Sequence, residues 1–310
     1  MNLFWKRMLC LTAIVLTPAL LCGCEKREPA QGICYRINGG KNPMVILGSI
    51  HVGSPDMEPY GEHILQSMKD ADTFVFECDS GSTETALLAQ QMMVDPQGDL
   101  RTKLSQETWQ LLEEACRVAR MAPDSLRQYK PWAVTSMLAT HAAADEMGAR
   151  NSRHAASLGV EEIVEKYVGN KETLYLETAL AQFEAMDSFS PSLQEALLAQ
   201  GCDAVLSPKE NTQLANWPVW WHRGQAQAFA DEYLQDESLP PELLAEYHFV
   251  LVTARNRTMA DRLVSMLESN EPHTYFVTVG LMHLVLPEDS ILALLRGQGY
   301  TVEQLFTPAQ

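Results

Sequence analysis

Two histidines stand at the ends of near-identical runs that lie far apart in the chain. Val45-Ile46-Leu47-Gly48-Ser49-Ile50-His51 and Phe276-Val277-Thr278-Val279-Gly280-Leu281-Met282-His283 each set an apolar, β-branched stretch before Gly-x-x-His. Each reads as a buried strand that ends in a turn and presents an imidazole. Gly48 and Gly280 tolerate turns and close approaches closed to other residues, so each histidine stays near the carboxyl end of its strand. Open α/β sheets bind ligands at that edge. As sheet neighbours, the two strands would bring two neutral imidazoles together, half of a metal site. Thr73-Phe74-Val75-Phe76-Glu77 is a third apolar run, ending in a carboxylate. His51, His283 and Glu77 together suit a divalent cation such as zinc, manganese or cobalt, with positions left for water or substrate. One Gly-x-x-His alone carries little weight; the repetition with matching lead-ins carries the reading.

These residues, with Leu176-Glu177-Thr178, Arg255-Asn256-Arg257-Thr258-Met259 and the closing stretch from Val279-Gly280 to Gly299-Tyr300-Thr301-Val302, resemble the TraB/GumN family. That family includes the Tiki metalloproteases and shares a superfamily with erythromycin esterases and haem-binding iron-regulated lipoproteins. The resemblance spans residues 33–305 and is closest at the two ends. It implies a metal-dependent hydrolase, foremost a peptidase. His51, His283 and Glu77 would hold the metal, Glu177 or Glu77 would move a proton, and Arg255, with Asn256 beside it, would stabilise an oxyanion. Two other functions follow from the superfamily: a metal-independent esterase-like hydrolase with His51 as general base, and a lipoprotein that binds haem or metal without catalysis. Members usually follow the second histidine with Leu and Gly. Here His283-Leu284 continues into Val285-Leu286-Pro287, which would reshape the loop beside the site.

The elements that must carry these groups are partly legible. Residues 33–37 and 44–47 flank Asn38-Gly39-Gly40-Lys41-Asn42 and predict a hairpin whose second strand delivers His51. A helix over 58–71 and the strand to Glu77 complete a βαβ unit with parallel strands. The middle is helix-rich: Ser105 caps one helix, with Trp109, Leu111, Leu112 and Ala115 on its buried side, and Pro131 opens another that runs to Met147. Residues 173–177 predict a short strand ending in Glu177, whose plainer role is a capping or salt-bridging carboxylate. Trp217-Pro218-Val219-Trp220-Trp221 reads as helix packing ahead of a substrate wall. Helices over 242–253 and 256–267 meet near Arg255, whose fork suits a carboxylate or an oxyanion; the alternative is a surface pair with Asp261 or Glu268. A helix over 288–296 and a strand over 300–305 close the chain. The fold expected is α/β, a central mixed sheet flanked by many helices, in two halves with approximate internal symmetry. His63, His141 and His154 have no partner motif and read as core or surface residues.

Residues 1–23 read as a lipoprotein signal peptide, with Lys6 and Arg7 ahead of an apolar stretch over 8–21 that is too short to span a bilayer. Leu21-Cys22-Gly23-Cys24 resembles a bacterial lipobox, so Cys24 would carry the lipid that anchors the chain to a membrane. Residues 24–32 would be a tether and 33–310 one domain. Glu25 after the lipidated cysteine favours the outer membrane, facing the periplasm. A net charge of −17 repels phosphate backbones, which argues against nucleic acid and leaves a peptide or small-molecule substrate. Cys34, Cys78, Cys116 and Cys202 remain beyond the signal, with three pairings open in an oxidising compartment.

Overall fold

Gly39 sits at φ +106°, a conformation that only glycine adopts without strain, and it turns the chain between β1 (Cys34–Asn38) and β2 (Met44–Ser49). The two strands pair antiparallel, with Cys34 opposite Leu47, as the alternation of their residues predicts. The computed structural model describes residues 28–307 apart from positions 52, 55–56, 80, 147–156, 208–212 and 236–237. The signal segment, Cys24 and His154 therefore lie outside the described residues. Among the described residues no helix is long and apolar enough to cross a membrane.

The remaining strands are β3 (Thr73–Phe76), β4 (Glu172–Tyr175), β5 (Tyr275–Gly280) and β6 (Thr301–Gln304), and the sheet order is β4-β3-β5-β2-β1-β6. β5 lies between β2 and β3 and is parallel to both, with Gly48 opposite Val279. The two Gly-x-x-His strands are therefore nearest neighbours at the centre. β2 and β3 do run parallel, but β5 enters between them from the far end of the chain. β1 runs against both of its neighbours, which makes the sheet mixed. Every residue of β3 is buried, and so is β5 from Tyr275 to Val279. Strands covered on both faces read as continuous apolar runs, which is how these were recognisable. Because β2, β3, β4 and β5 share one direction, His51, Glu77, Glu177 and His283 all follow strand ends at one edge of the sheet.

Helices Glu62–Asp70, Val160–Val168, Ala254–Leu267 and Ile291–Gly297 bury Ile64, Val164, Leu263 and Leu295 in the sheet core. A second apolar cluster joins Leu112, Leu138 and Leu198 from helices Gln106–Ala119, Pro131–Glu146 and Pro191–Leu206. Ser105 caps the first of these, its hydroxyl accepting from the Thr108 N–H at 3.1 Å.

Three expectations change. The helix expected from 58 begins at Glu62. Helices expected to meet near Arg255 form one helical path instead: Pro241–His248, a π turn over Phe249–Thr253, then Ala254–Leu267. The Ala254 N–H reaches back five residues to the Phe249 carbonyl; no Gly or Pro interrupts the run at this junction, and no side chain caps a helix end there. Cys34, Cys78, Cys116 and Cys202 are all free thiols. The tryptophan-rich segment packs: Trp221 is fully buried and Trp220 meets Phe229 edge to face.

Candidate active site

Glu77 follows β3 directly and Glu177 comes two residues after β4. Backbone pairing continues past the strand ends, with Leu176 N–H on the Phe76 carbonyl and Glu177 N–H on the Glu77 carbonyl, both at 2.9 Å. Two buried carboxylates therefore leave the sheet side by side. Arg255, brought in by the helix after the π turn, lies between them. Its Nη2 bonds to Oε1 of both glutamates, its Nε donates to Glu177 Oε2 at 3.1 Å, and its Nη1 donates to the Leu251 carbonyl at 3.2 Å. Gln182 Nε2 adds bonds to Glu77 Oε1 at 2.9 Å and Glu177 Oε1 at 2.7 Å. The Gly280 N–H donates to Glu77 Oε2 at 2.8 Å. Burial pushes the Glu77 carboxyl up, but the charges of His283 when protonated, Arg255 and His51, with the Gly280 amide, outweigh it and hold the group at about 2. One guanidinium against two carboxylates leaves this buried cluster with a surplus negative charge.

His283 is buried and its Nδ1 lies 2.6 Å from Asn256 Oδ1. Asn256 Nδ2 donates to the Asp289 carbonyl at 2.7 Å, which fixes the amide with its oxygen toward the imidazole. The ring proton is thus on Nδ1, and the Nε2 lone pair faces Glu77 Oε1 at 3.9 Å. Burial pulls the His283 pKa down to about 4, more than Glu77 raises it, so the ring is neutral near pH 7. His51 is arranged in parallel. Its Nδ1 lies 3.2 Å from Glu161 Oε1, and Glu161 also accepts from the Ser49 hydroxyl. The Val160 N–H on the Ile50 carbonyl, at 3.1 Å, sets the start of helix Val160–Val168 against the turn that carries His51. The charge of Glu161, then its hydrogen bond, raises the His51 pKa, although a side chain 78% exposed feels that pull through water. Both histidines have Nδ1 engaged by a neighbouring oxygen, and the Nε2 of His283 lies toward Glu77.

The structure brings together all the site residues that the sequence named: His51, Glu77, Glu177, Arg255, Asn256 and His283. Arg255 is not a surface residue paired with Asp261 or Glu268; it is the cation between two carboxylates. Arg257 points away, 3.9 Å from Asp289. Gly48 and Gly280 permit close approach: a Cβ on Gly48 would lie 2.4 Å from Leu281 Cδ1, and one on Gly280 3.0 Å from Glu77 Oε2. Two residues escaped the sequence reading, Glu161 and Gln182. A cavity of about 160 Å³ lined by His51, Glu77, Cys78, Glu161 and Gln182, among others, opens at this point. Among the described residues no three His, Cys, Asp or Glu side chains stand close enough to enclose a metal ion as they are placed.

A mixed α/β sheet with two adjacent Gly-x-x-His strands above a paired glutamate centre defines the class, and the chain belongs to the TraB/PrgY/gumN family, whose family model matches residues 33–304. It is similar to the uncharacterized protein YbaP of Escherichia coli (strain K12), 26% identical over 256 residues that cover 79% of this chain and 85% of the relative. The uncharacterized protein YbaP of Shigella flexneri is likewise 26% identical, over 250 residues covering 77% of this chain and 83% of the relative. No solved structure matches the chain.

Proposed function

We infer that this protein is a metal-dependent hydrolase that cleaves peptide bonds and is held at the bacterial envelope by a lipid on Cys24. One observation carries the reading. The Nε2 lone pair of a buried, neutral His283 faces a carboxylate oxygen of Glu77 at 3.9 Å, and two buried acceptors in that relation repel each other unless a cation lies between them. His51 offers a second Nε2. Two imidazoles and a carboxylate suit zinc, manganese or cobalt and leave positions open. A cation bound there would supply a Lewis acid and a water acidic enough to react near neutral pH. The chain's own parts have separate tasks. Asn256 and Glu161 hold the two rings by Nδ1, which leaves each Nε2 as the ligand atom. Arg255 helps keep Glu77 ionised and fixes the spacing of Glu77 and Glu177, and Glu177, beside Glu77 on the same guanidinium, is placed to take a proton.

Elemental analysis of the purified full chain, beside the His51→Ala, His283→Ala double variant, tests this. About one divalent ion per chain, lost in the variant, together with peptidase activity removed by chelator and restored by zinc, manganese or cobalt, is the expected outcome. A wild-type chain that takes up none of these metals after reloading sinks it.

A second reading rests on the His51–Glu161 pair. An exposed imidazole with a carboxylate on Nδ1 and, among the described residues, no partner on Nε2 is the arrangement of a general base. Hydrolysis that survives chelator but is lost in both His51→Ala and Glu161→Gln would favour this metal-independent chemistry.

A further inference from the structure

The cavity of about 160 Å³ at His51 and Glu77 admits only the reacting group of a substrate, since sites that enclose a whole small ligand run to roughly 300–1,000 Å³. The rest of the substrate needs another surface. A groove of about 1070 Å³ lies alongside, with Glu177 in its wall and β4, the edge strand of the sheet, as its floor. The β3–β4 register and the Leu176 N–H on the Phe76 carbonyl turn the backbone groups of Leu174 to β3, so those of the neighbouring Thr173 and Tyr175 turn outward. Arg262 donates to the Tyr175 and Leu176 carbonyls at 3.0 and 2.9 Å. Among the described residues this leaves the N–H and C=O of Thr173 and the N–H of Tyr175 for an incoming chain. The groove is roofed by helix Thr83–Met93, none of whose residues is buried, and Leu87 is 55% exposed; Tyr175 and Leu180 are exposed on the other walls. Asp79, Glu84 and Glu177 outnumber Arg262, whose guanidinium is turned to carbonyls.

A row of outward backbone groups recognises an extended chain, apolar walls recognise its alternate side chains, and surplus carboxylates favour a basic one. We propose that β4 takes up an extended peptide segment of alternating apolar and basic side chains as an added strand, and that this groove feeds the segment to the glutamate pair. The proposal rests on the peptidase reading for the purpose of the groove, but the binding can be measured apart from cleavage.

The probe is a fluorescein-labelled octapeptide of alternating Lys and Val, titrated into the full chain and followed by anisotropy, with cleavage read separately by mass spectrometry. Thr173→Pro removes an outward N–H while sparing every bond to β3. It is expected to weaken binding at least tenfold, as are N-methylation of alternate peptide amides and replacement of Lys by Glu. Leu87→Ser with Leu180→Ser, at exposed positions, is expected to do the same, while Val118→Ser, an exposed apolar position outside the groove, binds the peptide as the parent does. Binding equal in Thr173→Pro and the double serine variant, or no binding to the parent chain, overturns the groove. A concentration-dependent dimer that Thr173→Pro dissolves would give the edge to a second copy and overturn it too. Binding with these losses but without cleavage of any peptide keeps the groove and removes the peptidase reading; cleavage with an unchanged KM in Thr173→Pro does the reverse.

Discussion

Asn256 serves His283 as Glu161 serves His51, and the difference in charge between these partners gives the two imidazoles opposite tendencies. His283, buried against a neutral amide, resists protonation down to about 4, whereas an unfolded histidine takes a proton near 6.5. The unfolded chain therefore binds the proton first, and stability falls as pH drops from 6.5 toward 4, by up to about 3 kcal/mol at roughly 1.4 kcal/mol per unit. The contribution of Glu77 has the other window: its depressed carboxyl stabilises the fold above 4.5 and loses that effect only as pH falls toward about 2. Urea unfolding in EDTA between pH 7 and 4 is expected to show the His283 slope, and His283→Gln to remove most of it. An unchanged slope in the variant would assign the effect elsewhere. Glu161→Gln keeps the hydrogen-bonding shape and removes the charge. The His51 ring, followed by NMR, is expected to titrate lower by about one pH unit, with metal affinity reduced roughly 10- to 100-fold. His51, His283 and Glu77 were legible because each ends an apolar run. Glu161 was not, because acidic residues in a first helical turn are favoured at any helix N-terminus. Gln182 was hidden more completely, as a neutral amide within a helix has no spacing that marks it.

At the level of elements, the hairpin and the strand ends followed from alternation and from continuous apolar runs. The place of β5 between β2 and β3 did not, since nothing local to Thr73–Phe76 records a neighbour two hundred residues away. The π turn was equally hidden: an apolar pattern through Phe249–Thr253 fits bonds four or five residues apart. Its effect is local and large, because Arg255 lies just beyond it and bonds back to Leu251 within it. The two motif glycines give contrasting predictions. Gly48→Ala would set a methyl 2.4 Å from Leu281 Cδ1 and 3.3 Å from Leu284 Cδ1, an overpacked core contact expected to cost about 1–3 kcal/mol in urea unfolding. Gly280→Ala would press instead on Glu77 Oε2 and the His283 ring, at 3.0 and 3.2 Å. If the protein is the metal-dependent hydrolase proposed above, this variant is expected to lower metal content and hydrolysis at least tenfold with a smaller loss of stability. If the two variants behave alike, the second glycine has no special tie to the carboxylate.

Across the whole molecule, the sheet core carries the site while a separate helical cluster around Leu112, Leu138 and Leu198 stands apart from it. The α/β class could be read from the order of strand-like and helix-like runs. The separate cluster could not, because it is made by helix faces that meet only after the chain has folded. Leu198→Ala, at a fully buried position, is expected to cost about 2–5 kcal/mol in urea unfolding while metal content per folded chain stays at the parent value. A parallel loss of metal would mean that the two parts are mechanically joined. Trp221 belongs to the sheet core, with its indole N–H on the Gly48 carbonyl at 2.7 Å, three residues before His51. A dipole held against an indole shifts its emission, so the buried ring is an optical gauge fixed to the strand that delivers the first histidine. Subtracting the fluorescence of Trp221→Phe from that of the parent isolates this signal from the other tryptophans. A cation taken up at His51, as proposed, is then expected to change this signal, with no label and no knowledge of the natural substrate.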